Sequence, residues 1–201
     1  MQPFARRLNV SQELKPEAPP KQGLLLIDLQ NDYFPGGKFE LFQANQAVRQ
    51  AEKVLLAFRR RELPVFHVQH ITLNQEVPFF WPNTTGVEIH KTLAPAPGEA
   101  VIIKHAPDSF FQTSLQQDLK SKGVEHLVVC GMMTHMCVDT TVRAAANFGY
   151  GVTLLADACA TKDLGWNNIE VPAPQVQAAF MAAMNGVFAE VLTTQSYLDQ
   201  F

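Results

Sequence analysis

Residues 24–27 are Leu-Leu-Leu-Ile, and Asp28 follows them at once. An unbroken apolar run of this length predicts a strand buried on both faces, over about 24–28. Ala47, Val48, Ala51, Val54, Leu55 and Phe58 then recur at helical spacing and predict a helix over about 43–61. The alternation continues with strands over 64–69 and about 100–103, a polar helix over about 113–122 closed by Gly123, and a strand over about 126–130. A helix over about 134–148 closing at Gly149, a strand over 151–156, a helix over about 173–186 and a strand over about 188–192 complete the series. Strands alternating with helices predict a parallel sheet covered on both faces. The expected fold class is therefore α/β, a three-layer α/β/α arrangement around a mostly parallel six-stranded sheet.

Two stretches break the rhythm. Residues 71–99 carry Pro78, Pro82, Pro95 and Pro97, an aromatic cluster Phe79-Phe80-Trp81, and the run Gly86-Val87-Glu88-Ile89-His90. A connection this long is expected to be functional. Its aromatics either line a pocket or bury against a second subunit. Residues 162–172, with Trp166-Asn-Asn-Ile-Glu170, are read as a lid or an interface. Residues 1–22 are polar and proline-rich and are expected to form an extended N-terminal arm outside the core, leaving 23–201 as the one domain.

Composition narrows the classes further. A chain of 201 residues with a formal net charge of -3 and 47% hydrophobic residues is expected to be a soluble globular domain that buries its own core. No basic run points to nucleic acid, and no apolar stretch approaches the roughly 18–20 residues of a membrane span. The N-terminal Met-Gln-Pro-Phe-Ala-Arg-Arg lacks an apolar signal region. Cys130, Cys137 and Cys159 are a sparse, odd set, as expected of a cytoplasmic protein in a reducing environment. Cys130 and Cys159 read as structural. There is no Gly-x-Gly-x-x-Gly to support dinucleotide binding and no Cys-x-x-Cys to support thiol redox chemistry.

Cys137 stands out by its surroundings, Gly131-Met-Met-Thr134-His-Met-Cys137-Val-Asp-Thr-Thr. Strand, sharp turn and helix would place its thiol in the first helical turn, where unsatisfied N–H groups and the helix dipole favour a thiolate and lower the thiol pKa. A nucleophile and a small buried hydrophobe both fit that position. Asp28 and Lys104 likewise follow apolar strands. The carboxylate serves either as a cap or as a working group, and the lysine either snorkels or takes part in chemistry. All three could converge on one sheet edge, outside the carboxyl ends of the strands, where open α/β sheets bind ligands. Together they make a chemical set: a base for the thiol proton, a cation for the thiolate and a sulfur nucleophile.

These segments resemble the isochorismatase-like cysteine hydrolases. The resemblance is carried by Asp28-Leu-Gln-Asn-Asp32-Tyr-Phe34, by Lys104 with Ser109-Phe110-Phe111-Gln-Thr113, by Gly131 to Arg143 and by Asp157-Ala-Cys-Ala, and it runs from about Gly23 to about Thr194. It implies a doubly wound, Rossmann-like sheet and an Asp28-Lys104-Cys137 catalytic triad. It further implies acyl transfer through a thioester, and a cis peptide, here at Met132–Met133, that aims the N–H groups of Met133 and Cys137 at one oxyanion. Phe34, Trp81, Phe110 and Thr134 are candidate substrate contacts, with Thr134 first a helix cap and the aromatics equally at home in a core. Gln30 and Asp32 rank lower, Asp32 as a turn-fixing residue. Relatives that deamidate nicotinamide hold a metal through Asp-x-His…His. Here that region is His67-Val-Gln-His70-Ile-Thr, its histidines fall on opposite strand faces and read as structural or pocket-lining, and no metal or cofactor is expected. The expected partner is a small molecule, acting on a homo-oligomer (dimer or tetramer). A vinyl-ether hydrolase using Asp28 and Lys104, and a non-catalytic binding scaffold, are the rival readings.

Overall fold

A computed structural model describes residues 20–74 and 76–201, so the 1–22 arm lies almost wholly outside the described residues. The apolar run after the arm forms β1 (Gln22–Ile27), fully buried from Leu24 to Ile27. Helix α1 (Ala44–Arg60) buries Ala47, Val48, Ala51, Val54, Leu55 and Phe58, the stripe expected from the sequence. The chain continues through β2 (Val65–His70), β3 (Ala100–Lys104), α2 (Leu115–Ser121), β4 (His126–Met132), α3 (Asp139–Asn147) and β5 (Gly151–Ala160). A two-stranded hairpin, β6 (Leu164–Trp166) and β7 (Ile169–Val171), precedes α4 (Ala173–Met184), β8 (Glu190–Leu192) and α5 (Thr194–Leu198).

The six-stranded sheet has the order β3-β2-β1-β4-β5-β8, and all its pairings are parallel. The chain builds one half outward from β1 to β3, then returns to the other side of β1 and builds β4, β5 and β8. The order thus reverses between β1 and β4, and such a switch point leaves a crevice outside the strand ends. Helices α1 and α5 pack together, as do α3 and α4. Right-handed crossovers running in opposite directions put these two groups on opposite faces. The three-layer α/β/α fold is as expected, and among the described residues no helix is long and apolar enough to cross a membrane.

Two departures have local causes. The fifth strand runs four residues past the expected end because its register against β4 jumps, from Val129↔Leu154 to Gly131↔Cys159. The extra β5 residues bulge out and carry Asp157 to α5, where Oδ1 accepts from Thr194 N at 2.7 Å and Thr194 Oγ1 at 2.8 Å. The 162–172 stretch is the β6–β7 hairpin. Its Asn167-Asn168 corner, with φ of 47° and 64°, is a turn that asparagine tolerates.

Gly131 lets β1 and β4 come together where the site begins. Its φ is +146°, and a Cβ there would lie 2.1 Å from the Ile27 carbonyl oxygen. No side chain escapes that contact without parting the two central strands. Gly131→Ala is expected to lower unfolding stability by about 3 kcal/mol or more, read as a lower midpoint in urea denaturation.

Candidate active site

Three strand ends deliver the polar centre. Asp28 follows β1 with φ of 49°, a left-handed conformation that aspartate adopts more readily than most residues. The chain turns away there, with Asp28 N donating to Val68 O at 3.0 Å, while the carboxylate stays buried. Lys104 ends β3, and its Nζ lies 2.8 Å from Asp28 Oδ2, with both side chains wholly buried. Strand β2 separates β1 from β3, so this ion pair spans an intervening strand. Lys104 Nζ also donates to Ala106 O and lies against His70 Nδ1, each at 3.0 Å.

Cys137 enters from β4. The Met132–Met133 peptide is cis, and Thr134–Val138 then form a single π-helical turn in which Val138 N donates to Met133 O at 3.2 Å. The thiol therefore sits in a widened turn ahead of α3 and not in the first turn of a regular α-helix. Donor atoms of Asp28, His70 and Cys137 lie within 4.8 Å of one another. Thr134 does not cap. Its hydroxyl donates to Gln177 Oε1 at 2.7 Å and Ala160 O at 3.2 Å, facing α4 and β5 and away from the N–H groups of its own turn.

Burial sets the electrostatics. The Cys137 thiol is held above its ordinary pKa, first by burial and then by the Asp28 carboxylate, with Lys104 pulling the other way. The lowering expected from a helix N-terminus is thus outweighed, and the resting group is a neutral thiol. Burial also opposes the charge of Lys104, but Asp28 and Cys137 beside it more than offset this and its pKa is raised. His70 is pushed down to about 4, by burial and then by the Lys104 charge, and stays neutral. Neither Asp28 oxygen accepts a well-directed hydrogen bond from any described residue. A carboxylate with open acceptors beside a thiol is placed to receive its proton.

The Asp28–Phe34 segment fastens the long loop over this centre. Gln30 Nε2 donates to His70 O at 2.8 Å and Val87 O at 2.7 Å, and Gln30 Oε1 accepts from His70 N at 2.8 Å. Asn31 Nδ2 donates to Thr85 O at 2.8 Å. Asp32 Oδ2 accepts from Phe80 N at 2.7 Å and its Oδ1 from Lys38 N at 3.2 Å, so it fixes both its own turn and the far loop. A Cβ on Gly86 would fall 2.1 Å from Asp32 Oδ1. Tyr33 packs its ring 4.6 Å from Phe80 and 5.6 Å from Phe79. Its phenol stays neutral, through burial and then the nearby Cys137, Asp28 and Asp32.

The expected substrate contacts are spread out. Phe34 packs at a tilt on His90 with ring centres 4.3 Å apart, and Phe110 packs on Phe148 and Tyr150 at 5.1 and 6.1 Å. Trp81 lines a cleft of about 400 Å³ with Thr72, Leu73, Asn74 and Pro82, its indole donating to Val77 O at 2.6 Å. A cleft of about 480 Å³ opens elsewhere, against Asp157 and Cys159 between α1 and α4, and none of the three central residues lines it. His70, expected as structural or pocket-lining, lies at the centre, and Tyr33 is a neighbour to which sequence reading assigned no role. The register His70↔Lys104 between β2 and β3 is the signal that brings His70 in. His67 takes the other face of β2, its Nε2 2.9 Å from Glu99 Oε2, and Arg59 Nε lies 2.7 Å from Glu99 Oε1. Asp28, His70 and Cys137 would be the donors for a metal, but the Lys104 ammonium already touches the first two. The residues as arranged do not fit one.

An α/β fold with a buried carboxylate, ammonium and thiol at its switch point defines a class, and comparison gives it a family. The profile of the isochorismatase domain matches residues 22–196. The chain is 53% identical to YddQ, an uncharacterized isochorismatase family protein of Bacillus subtilis strain 168, over 87% of this chain and 97% of that one. A crystal structure from Oleispira antarctica, described as an isochorismatase hydrolase, superposes with a TM-score of 0.87 at 43% identity, covering 90% of this chain and 98% of that one. A ureidoacrylate amidohydrolase, RutB of Caulobacter segnis, is 27% identical over 92% of this chain and 88% of its own. The chain belongs to the isochorismatase family and is a hydrolase of that family.

Removing the Asp32 carboxylate would leave the buried Phe80 N–H without its acceptor. Asp32→Ala is expected to cost about 2–3 kcal/mol of stability, measured by urea denaturation, and to shift the fluorescence of Trp81 on the released loop.

Proposed function

We propose that this hydrolase cleaves an amide or carbamoyl-type C–N bond of a small molecule through a Cys137 acyl-enzyme. The observation that supports this reading is the meeting of thiol, carboxylate and buried ammonium at the switch point of the sheet. Asp28 takes the thiol proton as the sulfur attacks the carbonyl carbon. Lys104 holds the carboxylate before the transfer and the thiolate during it. The C–N bond breaks, the amine leaves with the proton from Asp28, and a water deprotonated by Asp28 adds to the thioester and releases acid and thiol. The N–H groups of Met133 and Cys137 are the proposed oxyanion donors, and a comparable donor elsewhere contributes on the order of 3 kcal/mol. Trp81, partly exposed at its cleft, is the substrate-facing aromatic of this reading, and Phe34, Phe110 and Thr134 are its further proposed contacts. The relative that hydrolyses an amide supports the choice of bond.

A second reading is vinyl-ether cleavage by Asp28 and Lys104 with an idle sulfur. Ammonia release from a panel of small amides, ureido acids and carbamoyl compounds separates the two. Release that falls at least ~10³-fold in Cys137→Ala and survives a chelator is the expected outcome. Turnover of an enol-ether substrate by the Cys137→Ala protein would refute the acyl-enzyme. Self-association as a dimer or tetramer is part of the same proposal. Trp166 and Ile169, 81% and 62% exposed on the β6–β7 hairpin, are its apolar surface. Light scattering after size exclusion is expected to return a monomer for Trp166→Glu.

A further inference from the structure

We infer that His70 is a fourth member of the buried centre, a neutral acceptor that aims the Lys104 ammonium at Asp28 and Cys137. The inference rests on the reading of Lys104 given above, but the coupling it describes can be measured without a substrate.

An ammonium on a four-carbon stem has three equivalent N–H groups and no direction of its own. Its neighbours must supply one. Two neutral acceptors, His70 Nδ1 and Ala106 O, each lie 3.0 Å from Lys104 Nζ. Together they engage two of the three N–H groups, and Asp28 Oδ2 lies 2.8 Å from the same nitrogen. Remove one anchor and the ammonium can tilt away from the acidic side.

The sheet explains why the imidazole is in place. His70 and Lys104 are direct register partners on parallel neighbours, so their side chains leave the same face. The backbone of His70 is held at both its N–H and its carbonyl by the Gln30 amide, each at 2.8 Å. Gln30 lies two residues after Asp28, so one short segment supplies the base and fixes the residue that aims the cation. The ring is backed by Phe80, with centres 6.1 Å apart.

The protonation state follows from the partner. Lys104 is charged and can only donate, so Nδ1 accepts and the imidazole proton sits on Nε2. Lys104 and His105 oppose protonation, Asp28 favours it, and burial outweighs them all. An imidazole with a pKa of about 4 is a poor general base at neutral pH, which leaves positioning as its role.

The first test needs no variant. Nitrogen-15 NMR of the histidines in the wild-type protein is expected to show His70 as the Nε2–H tautomer, with no titration between pH 8 and pH 5. A His70 resonance titrating near its ordinary value would overturn the inference. The second compares His70→Asn, which keeps a side-chain acceptor near the Nδ1 position, with His70→Leu, which keeps bulk and loses the acceptor. Iodoacetamide labelling of Cys137, read by peptide mass across pH, is the measurement. His70→Leu is expected to label at least about tenfold more slowly at pH 7, its profile moved to higher pH because the thiolate has lost its aimed cation. His70→Asn is expected to stay within about threefold of wild type. A merely structural role would lower the melting temperature and leave the profile in place. Superposition of His70→Leu on wild type, or the same shift in His70→Asn, would overturn the inference. If His70→Leu does not fold, the NMR titration and His70→Asn still decide. A silent amide panel beside an intact labelling shift would refute the proposed reaction and leave the role of His70 standing.

Discussion

The ion pair between Asp28 and Lys104 is the constraint around which the rest is arranged. Two wholly buried charges 2.8 Å apart lose their hydration, and their attraction offsets that loss only where the geometry is held and the remaining donors find partners. The protein meets the condition for the cation: Ala106 O and His70 Nδ1 accept its other N–H groups. It does not meet it for the anion, whose oxygens accept no well-directed hydrogen bond from the described residues. Such an asymmetry makes little sense as stabilisation, because open acceptors on a buried carboxylate raise its free energy. It makes sense for a group that must accept a proton. Burial explains the thiol, which stays protonated first because it is away from water and then because Asp28 beside it is already negative.

Holding that pair across β2 places demands on parts of the chain that never touch it. Strands β1 and β4 must approach closely where they end, and Gly131 allows this by having no Cβ to strike the Ile27 carbonyl. The end of β2 must be fixed, and Gln30 fixes it from β1 through both backbone groups of His70. The 71–99 loop must stay over the centre, and the residues that hold it are Gln30, Asn31 and Asp32. One contiguous segment therefore supplies the Asp28 carboxylate and then the fasteners of the loop over it.

Much of this was legible in the sequence because it rests on local signals. The strands around Leu24–Ile27 and 126–130 are apolar runs too short for helices, and α1 shows its buried stripe at a spacing nothing else produces. The nearness of Asp28, Lys104 and Cys137 was legible from their shared place after strands, once the sheet was known to be parallel. What stayed hidden depends on register or on partners distant in sequence. A pocket-lining His70 was legible, but its contact with Lys104 follows only from their pairing, of which spacing along β2 gives no hint. Thr134 looks like a cap in any sequence, yet Gln177 and Ala160 claim its hydroxyl. The π-helical turn at Thr134–Val138 has no sequence signature, and the β5 extension needed a bulge that only the pairing with β4 defines.

The thiol pKa is the clearest case of a local rule losing to a global one. A helix terminus contributes about 0.3–1 kcal/mol to a charge at its end. Burying a group far from water, beside a like charge, works against ionisation by several times that. With Cys137 only 4% exposed and Asp28 adjacent, burial wins and the sulfur rests uncharged. The consequence is a centre that holds its charge in the Asp28–Lys104 pair and its proton on sulfur. Moving that proton onto Asp28 leaves a thiolate facing an ammonium, so the number of charges is unchanged and one ion pair replaces another. Among buried groups that exchange requires little solvent reorganisation, which is the physical case for placing all three together inside the fold and none of them at its surface.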